Sequence, residues 1–102
     1  MNSDPLSVAF VAKIEAAPGS ESALEELLTG AVELANAEAG TVVWFSVRTA
    51  PGTFWIFDAF VSEKDRQAHA NGQIVAALTD NADLLGAAPE IMPADVLAFK
   101  LP

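Results

Sequence analysis

Two side chains that can exchange protons, Asp58 and His69, occur in one short stretch of the sequence. Asp58 interrupts an apolar run from Phe54 to Val61, and His69, the only histidine of the chain, lies in the polar segment that follows. A carboxylate within an apolar strand has to be paired, protonated or turned toward a cavity, because burying an unpaired charge is costly. Asp58 is therefore a candidate general base, and an imidazole beside it is a candidate partner in proton transfer.

Each of these residues also has a structural explanation. A place near a sheet edge, or an ion pair with Arg48 or Lys13 at an interface, would account for Asp58. His69 follows Asp65 at the spacing that brings two side chains together on one face of a helix. A catalytic role and a structural role therefore remain open for both residues.

The composition of the segment 63–70 indicates which way His69 points. This segment has almost no large apolar residues, so small and polar side chains have to form its inward face. The one coherent inward face consists of Asp65, Ala68, His69 and Gly72. We therefore expect His69 to point toward the sheet, where Asp58 would orient its ring.

Four apolar residues are candidates for binding a planar ligand next to these two groups: Phe60, Ile56, Trp44 and Leu78. Phe60 and Ile56 share a strand face with Asp58, because side chains alternate along a strand. Trp55 points to the opposite face and is better suited to an interface. Aromatic side chains at strand spacing are also typical of an ordinary core, so a plain packing role stays open for the aromatic candidates.

Hydrophobic spacing divides the chain into strands and helices. Alternation predicts strands, and apolar residues at intervals of three and four predict helices. The predicted order is strand, helix, strand, strand, helix in two pieces, and strand, over residues 6–16, 20–38, 41–49, 53–61, 63–70 with 73–86, and 96–101. This order is that of the ferredoxin-like split βαβ fold, an α+β architecture with one four-stranded antiparallel sheet. We expect residues 1–102 to form one such domain.

Particular residues mark the ends of the predicted elements. Ser20 is expected to cap the first helix, and Gly40 is expected to end it. Ser62 and Asp65 form a capping-box pattern that opens the second helix, and Asn71-Gly72 is expected to interrupt it. The last strand is expected after an irregular link that contains Pro89 and Pro93.

Alternation also predicts the two faces of the sheet. One face of the first strand is expected to carry Leu6, Val8, Phe10, Ala12 and Ile14. Both helices of this fold pack on one sheet face, so the other face would expose several large side chains, each worth about 1.5–3 kcal/mol when buried. We expect a homodimer packed sheet against sheet, with an aggregation-prone monomer or a partner of different sequence as the alternatives.

The overall composition limits the partners and cofactors. Fourteen acidic residues against five basic ones give a formal charge of −9, which disfavours nucleic acid and anionic membranes as partners. The chain has no cysteine, so thiolate sites and cysteine nucleophiles are excluded, and a single histidine does not make the usual zinc or haem site. We expect no metal and no cofactor.

The N-terminus shows no secretory signal, so we expect a cytoplasmic location.

Short segments spread along the chain are similar to those of a known family. They are Ala17-Pro18-Gly19-Ser20, Ala39-Gly40, Phe54–Phe60, Ser62-Glu63, Ala68-His69 and the tail from Ala88-Pro89 into Val96-Leu97. Over about residues 8–100 the chain resembles the antibiotic biosynthesis monooxygenase family, dimeric α+β barrel proteins that include small quinol and anthrone monooxygenases. The resemblance implies a cofactor-free oxygenase in which an electron-rich phenol or quinol reacts with oxygen in an apolar pocket.

The sequence departs from the family pattern within the third strand. Phe60 stands where family members often carry an indole, and Asp58 stands where they often carry Glu. The haem-degrading relatives need a histidine in the last helix, and residues 73–86 contain none, so haem degradation is set aside.

The residues and the resemblance together predict a cofactor-independent monooxygenase that acts on a quinol or polyphenolic aromatic molecule. In this hypothesis Asp58 and His69 remove a phenolic proton, and the resulting anion reacts with oxygen. Two alternatives remain open. One is a ligand-binding or stress-related barrel without enzymatic activity, and the other is a small-molecule isomerase that uses Asp58 or His69 for proton transfer alone.

Overall fold

The computed structural model describes residues 5–102. Its elements are β1 Val8–Glu15, α1 Glu21–Gly30, α2 Val32–Asn36, β2 Val43–Ala50, β3 Thr53–Phe60, α3 Glu63–Ala70, α4 Gln73–Asp80, a short 3₁₀ turn Ala82–Leu84 and β4 Glu90–Asp95. The four strands form one antiparallel sheet in the order β2-β3-β1-β4. The α+β ferredoxin-like fold predicted from the sequence is confirmed.

One face of the sheet packs against the helices and forms the main core. The buried residues of this core are Ala12, Ile14, Leu24, Leu28, Phe54, Ile56 and Leu78. Asp58 follows Ile56 by two positions on the central strand β3, so alternation places its carboxyl group on the same face, under the helices.

The first helical segment is shorter than predicted and is divided into two helices. The expected helix over 20–38 is divided, because α1 ends at Gly30 and α2 begins at Val32, and glycine is a poor helix former. Ser20 occupies the capping position, but its side chain makes no capping hydrogen bond within residues 5–102. Gly40 does not end the helix, because α2 already ends at Asn36.

The second helical connection begins and divides where the sequence predicted. The Ser62 hydroxyl accepts a hydrogen bond from the backbone N–H of Asp65 at 3.2 Å and so caps α3. The helix breaks at Asn71-Gly72, between α3 and α4. Arg66 fastens α3 to the sheet by donating to the backbone carbonyls of Ala9 and Ala94.

The prediction of the last strand was wrong. We expected a strand over 96–101 after an irregular link, but β4 covers Glu90–Asp95 and pairs along β1 from Val8↔Asp95 to Lys13↔Glu90. β4 is an edge strand, where a proline such as Pro93 is tolerated because one side of the strand needs no partner. Beyond Asp95 the chain has passed the end of β1, so residues 96–102 form no strand.

The second face of the sheet is only partly covered. A small cluster of Leu6, Ala9 and Ala59 is buried there, so Leu6 does not share the core face as predicted; it precedes β1, where the alternation does not apply. The tail residues Val96 and Phe99 lie beside this cluster. The exposed apolar residues of this face include Phe45, Val47, Phe57 and Met92.

Candidate active site

Asp58 is almost fully buried at the centre of the sheet. Its side chain lies between two aromatic neighbours in the strand register, Phe10 on β1 and Trp44 on β2. The residue is only 1 % exposed, and its Oδ1 accepts a hydrogen bond from the backbone N–H of Phe10 at 3.3 Å. A carboxylate in these surroundings needs a further partner to offset its lost hydration.

His69 on α3 provides that partner. Its Nε2 lies 2.9 Å from Oδ2 of Asp58, and the residue is 4 % exposed. Two phenyl rings enclose the imidazole, with the Phe60 ring centroid at 5.3 Å and the Phe10 ring centroid at 6.3 Å. The expected orientation of His69 toward the sheet and Asp58 is therefore what the structure shows.

A second carboxylate, which the sequence analysis missed, contacts the other ring nitrogen. Oε1 of Glu38 lies 2.6 Å from Nδ1 of His69 and also accepts a hydrogen bond from the Thr41 hydroxyl at 2.7 Å. One signal in the sequence pointed to Glu38. It falls at the C-terminal end of the predicted first helix, where the helix dipole disfavours an acidic side chain, so helix formation alone does not explain it.

Two glycines allow the loop that carries Glu38 to approach α3. A methyl group on Gly72 would lie 2.8 Å from Oε2 of Glu38 and 3.2 Å from the backbone oxygen of His69. A methyl group on Gly40 would lie 2.7 Å from the side chain of Asp65. The approaches of 2.7 and 2.8 Å are shorter than real contacts, so a methyl group at either position would displace the carboxyl group that it meets.

The charges around His69 favour its protonated form. Burial disfavours the imidazolium and by itself would lower the pKa of His69. The hydrogen bonds and the negative charges of Asp58 and Glu38 act in the opposite direction and prevail. The pKa of His69 is therefore raised above its ordinary value.

An apolar cavity of about 90 Å³ lies beside this cluster, under α3 and α4. Asp58 and His69 are the only polar side chains among the described residues that line it, and the rest of the wall is aliphatic apart from Phe10. A larger cavity of about 510 Å³ lies between α4, the 3₁₀ turn and β4. The two cavities have Val75, Leu78 and Ile91 in common, so they adjoin each other.

The structure brings together some of the predicted binding residues and separates others. Ile56 and Leu78 line the smaller cavity next to Asp58 and His69. Phe60 is fully buried behind the imidazole and does not line the cavity. Trp44 packs against the main core instead, and its indole N–H is buried without a hydrogen-bond partner among residues 5–102.

The alternative partners considered for Asp58 and His69 are engaged elsewhere. Arg48 forms an ion pair with Glu25, and Lys13 lies 3.4 Å from Glu15. The described residues give no ion pair between Asp65 and His69, whose ring nitrogens contact Glu38 and Asp58.

Within residues 5–102 no group of three or more His, Cys, Asp or Glu side chains is arranged to hold a metal ion. Glu38 and Asp58 contact opposite nitrogens of His69, so the three side chains do not converge on one point. No helix of this part of the chain has the length and apolar character needed to cross a bilayer.

Comparison with solved structures places this fold among small α+β proteins. A protein of unknown function from Nitrosomonas europaea, NE2512, is 50 % identical, with a TM-score of 0.93 and coverage of 95 % of both chains. Rv0793 from Mycobacterium tuberculosis is 21 % identical, with a TM-score of 0.80 over 91 % of this chain and 97 % of its own. A protein from Nitrosomonas europaea with the provisional name antibiotic biosynthesis monooxygenase is 18 % identical, with a TM-score of 0.79 over 89 % and 99 %.

Residues 7–80 match the family model described as antibiotic biosynthesis monooxygenase. The chain belongs to this family, as the resemblance noted from its sequence predicted. Family membership supports a general monooxygenase-like role. A comparison with functionally curated proteins finds no match.

Proposed function

We propose that this protein is a cofactor-independent monooxygenase that oxidises a quinol or polyphenolic aromatic molecule with oxygen. The observation that carries the proposal is the buried Asp58–His69 pair, with 2.9 Å between Oδ2 and Nε2, in the wall of an otherwise apolar cavity. Such a pair can accept a phenolic proton where bulk water is excluded. The electron-rich anion that results supplies the electrons for its own reaction with oxygen.

The size of the cavities supports a substrate with a planar apolar body. The 90 Å³ cavity is smaller than typical ligand pockets of about 300–1,000 Å³, but the adjoining cavity of about 510 Å³ is within that range. The aromatic body would lie in the larger cavity, and its hydroxyl group would reach Asp58 past the shared residues Val75, Leu78 and Ile91.

We also propose that the protein acts as a homodimer packed through the open sheet face. Phe45 and Val47 are 48 % and 45 % exposed on this face, and the Phe45 and Phe57 rings lie together with centroids 5.2 Å apart. Contiguous apolar surface of this kind is typical of an interface. A cytoplasmic location stays a prediction from the sequence.

Oxygen uptake with a panel of hydroquinones and polyphenols tests the proposed activity. We expect the wild-type protein to accelerate uptake and Asp58→Asn to lose at least about a hundredfold in rate, the usual contribution of a general base. The matched control is Asp95→Asn, which removes an exposed acid of β4 without touching the cavity and should retain wild-type uptake. Wild-type protein that accelerates no uptake, or an Asp58→Asn variant with wild-type rates, would contradict the proposal.

An isomerase is the second candidate, because a buried acid–imidazole pair suffices for proton transfer without oxygen. Turnover of a cavity-binding ketone under strict anaerobiosis, with loss in Asp58→Asn, would favour it over the oxygenase.

A further inference from the structure

Glu38 and Asp58 together account for both ring nitrogens of His69. Oε1 of Glu38 lies 2.6 Å from Nδ1, and Oδ2 of Asp58 lies 2.9 Å from Nε2. Carboxylate oxygens only accept hydrogen bonds, so each of these contacts needs a proton between nitrogen and oxygen. Imidazole is ordinarily a stronger base than carboxylate, and ionised Glu38 and Asp58 can only accept, so the two contacts favour a proton on each ring nitrogen.

We propose that Glu38 is a positioning residue that, with Asp58, holds His69 as a doubly protonated imidazolium, so that the Asp58 carboxylate and not the imidazole takes the proton from a ligand in the cavity. An imidazolium has no free lone pair and does not act as a base. Asp58 accepts one hydrogen bond at each oxygen, from Phe10 and from His69, and a carboxylate has about four acceptor positions. This division of roles rests on the proposed function, whereas the protonation state of His69 does not.

The proton transfer is balanced in charge. The O–H bond of the ligand breaks, an O–H bond forms on Asp58, and the electron pair stays on the ligand oxygen. Glu38, Asp58 and His69 together carry one net negative charge before the step, and the same charge remains afterwards on Glu38, His69 and the ligand oxyanion. The fixed imidazolium therefore lies beside the new oxyanion throughout and stabilises it.

The surroundings hold Glu38 in place for this role. The Thr41 hydroxyl donates to the same Oε1 that contacts His69, and Gly72 leaves room for Oε2, which is buried without a partner among the described residues. The other charged groups on α3 do not face the ring: Arg66 contacts backbone carbonyls and Glu63, Asp65 packs against the Gly40 loop, and Lys64 is exposed. Phe10 on β1 and the α4 residues that line the cavity, Ile74, Val75 and Leu78, are apolar, so Glu38 and Asp58 are the ionisable groups that face the ring.

The protonation state of His69 can be measured directly, because the chain contains a single histidine. In ¹⁵N-labelled protein without a histidine tag, nitrogen–proton correlation spectra from pH 5 to pH 10 show which ring nitrogens carry protons. We expect two protonated nitrogens at pH 7 in the wild type. In Glu38→Gln we expect the titration midpoint to fall by about one pH unit or more, because a partner charge is removed. Glu33→Gln, which neutralises an exposed acid on α2, should leave the midpoint unchanged.

The spectrum of the wild-type protein already tests whether His69 is doubly protonated, so this result does not depend on a variant that folds. A neutral ring with a bare nitrogen at pH 7, or an unchanged midpoint in folded Glu38→Gln, would overturn the role of Glu38. To test whether Asp58 or His69 takes the proton, kcat/KM is measured against pH with a substrate whose hydroxyl does not ionise in the range studied. We expect activity to fall as pH rises through the His69 midpoint, and activity that rises there would show the imidazole to be the base.

These outcomes separate the inference from the proposed function. A doubly protonated His69 in a protein without oxygen uptake would refute the oxygenase and leave the role of Glu38 in holding the imidazolium intact. Quinol oxidation by a protein whose His69 is neutral at pH 7 would support the oxygenase and refute the role of Glu38 in holding the imidazolium.

Discussion

At the scale of single residues, the cluster of Glu38, Asp58 and His69 is both a candidate site and a source of stability. All three side chains are largely withdrawn from water, and each depends on the others to offset its lost hydration. Removing His69 therefore leaves the two carboxylates buried without a counter-charge, which costs more than the loss of a surface ion pair.

The raised pKa of His69 makes the stability of the fold depend on pH. The imidazole of His69 binds its proton more tightly in the folded than in the unfolded chain. Its contribution to the free energy of unfolding is therefore complete below its pKa in the unfolded chain, about 6.5, and is lost as pH rises through its pKa in the folded chain. We expect the difference in free energy of unfolding between wild type and His69→Gln to be constant below about pH 6 and to shrink above it. Urea titrations at a series of pH values measure this difference, and a difference that grows with pH would show that the folded protein prefers a neutral ring.

Replacement of the imidazole should destabilise the fold strongly. His69→Ala leaves Asp58 and Glu38 buried without the cation between them, and we expect a loss of about 3–5 kcal/mol in the free energy of unfolding near pH 7. Gln67→Ala on the exposed side of the same helix is the control and should change stability by less than about 0.5 kcal/mol. Equal effects of the two substitutions in chemical denaturation would mean that the cluster contributes nothing.

At the scale of elements, two connections and one strand bring the cluster together. β3 places Asp58 under the helices, α3 directs His69 down onto it, and the loop between α2 and β2 brings Glu38 from the other side. Glycine at positions 40 and 72 leaves room for this approach, because a methyl group there would meet the carboxyl groups of Asp65 and Glu38 at less than 3 Å. The capping bond from Asp65 to Ser62 fixes the start of α3 and hence the height of His69 above the sheet.

A pair of glycine substitutions with opposite expected signs tests the loop contact. Gly72→Ala places a methyl group 2.8 Å from Glu38 Oε2 and 3.2 Å from the His69 carbonyl, and we expect a loss of about 1–3 kcal/mol. Gly30→Ala meets nothing within 4 Å at the end of α1, and we expect a gain of about 0.4–1 kcal/mol. Thermal and urea unfolding measure both, and a neutral or stabilising Gly72→Ala would show that the loop has room to move.

At the scale of the whole molecule, the two sheet faces are used differently. The helices cover one face, and α4 lines both cavities on that side, whereas the other face carries exposed phenyl and aliphatic side chains with a short tail beside them. The acidic surface, with a net charge of −9, opposes non-specific association of copies, so a dimer has to draw its stability from this apolar face.

A charged residue on the open face should separate the proposed dimer. We expect wild-type protein to sediment as two chains and Phe45→Lys to sediment as one, because a buried lysine would lose its hydration at the interface. Val32→Lys, which charges a 39 % exposed position on α2 away from the sheet, should leave the dimer intact. Wild-type protein that sediments as a single chain at micromolar concentration would refute the sheet-to-sheet dimer.

Local sequence patterns determined most of the fold, because single strands and helices depend mainly on residues that are close together in the chain. Alternation assigned the central strands and their faces, the Ser62 and Asn71-Gly72 signals fixed the second helical connection, and the sparse apolar content of α3 showed that His69 points inward. The prediction errors arose where pairing between distant strands determines the position of a strand. The last strand lies at Glu90–Asp95 because β1 offers partners only there, and no local pattern reports the length of a distant strand.

The tertiary structure alone decided what surrounds the imidazole. Glu38 lies 31 positions from His69 in the chain, and their contact depends on a loop geometry that no short pattern encodes. The same holds for the cavity wall: Ile56 and Leu78 reach it, whereas Phe60 and Trp44, equally apolar in sequence, are packed behind or beside it. Periodicity tells which face a side chain takes, but its neighbours on that face follow from the approach of separate elements, which only the folded chain defines.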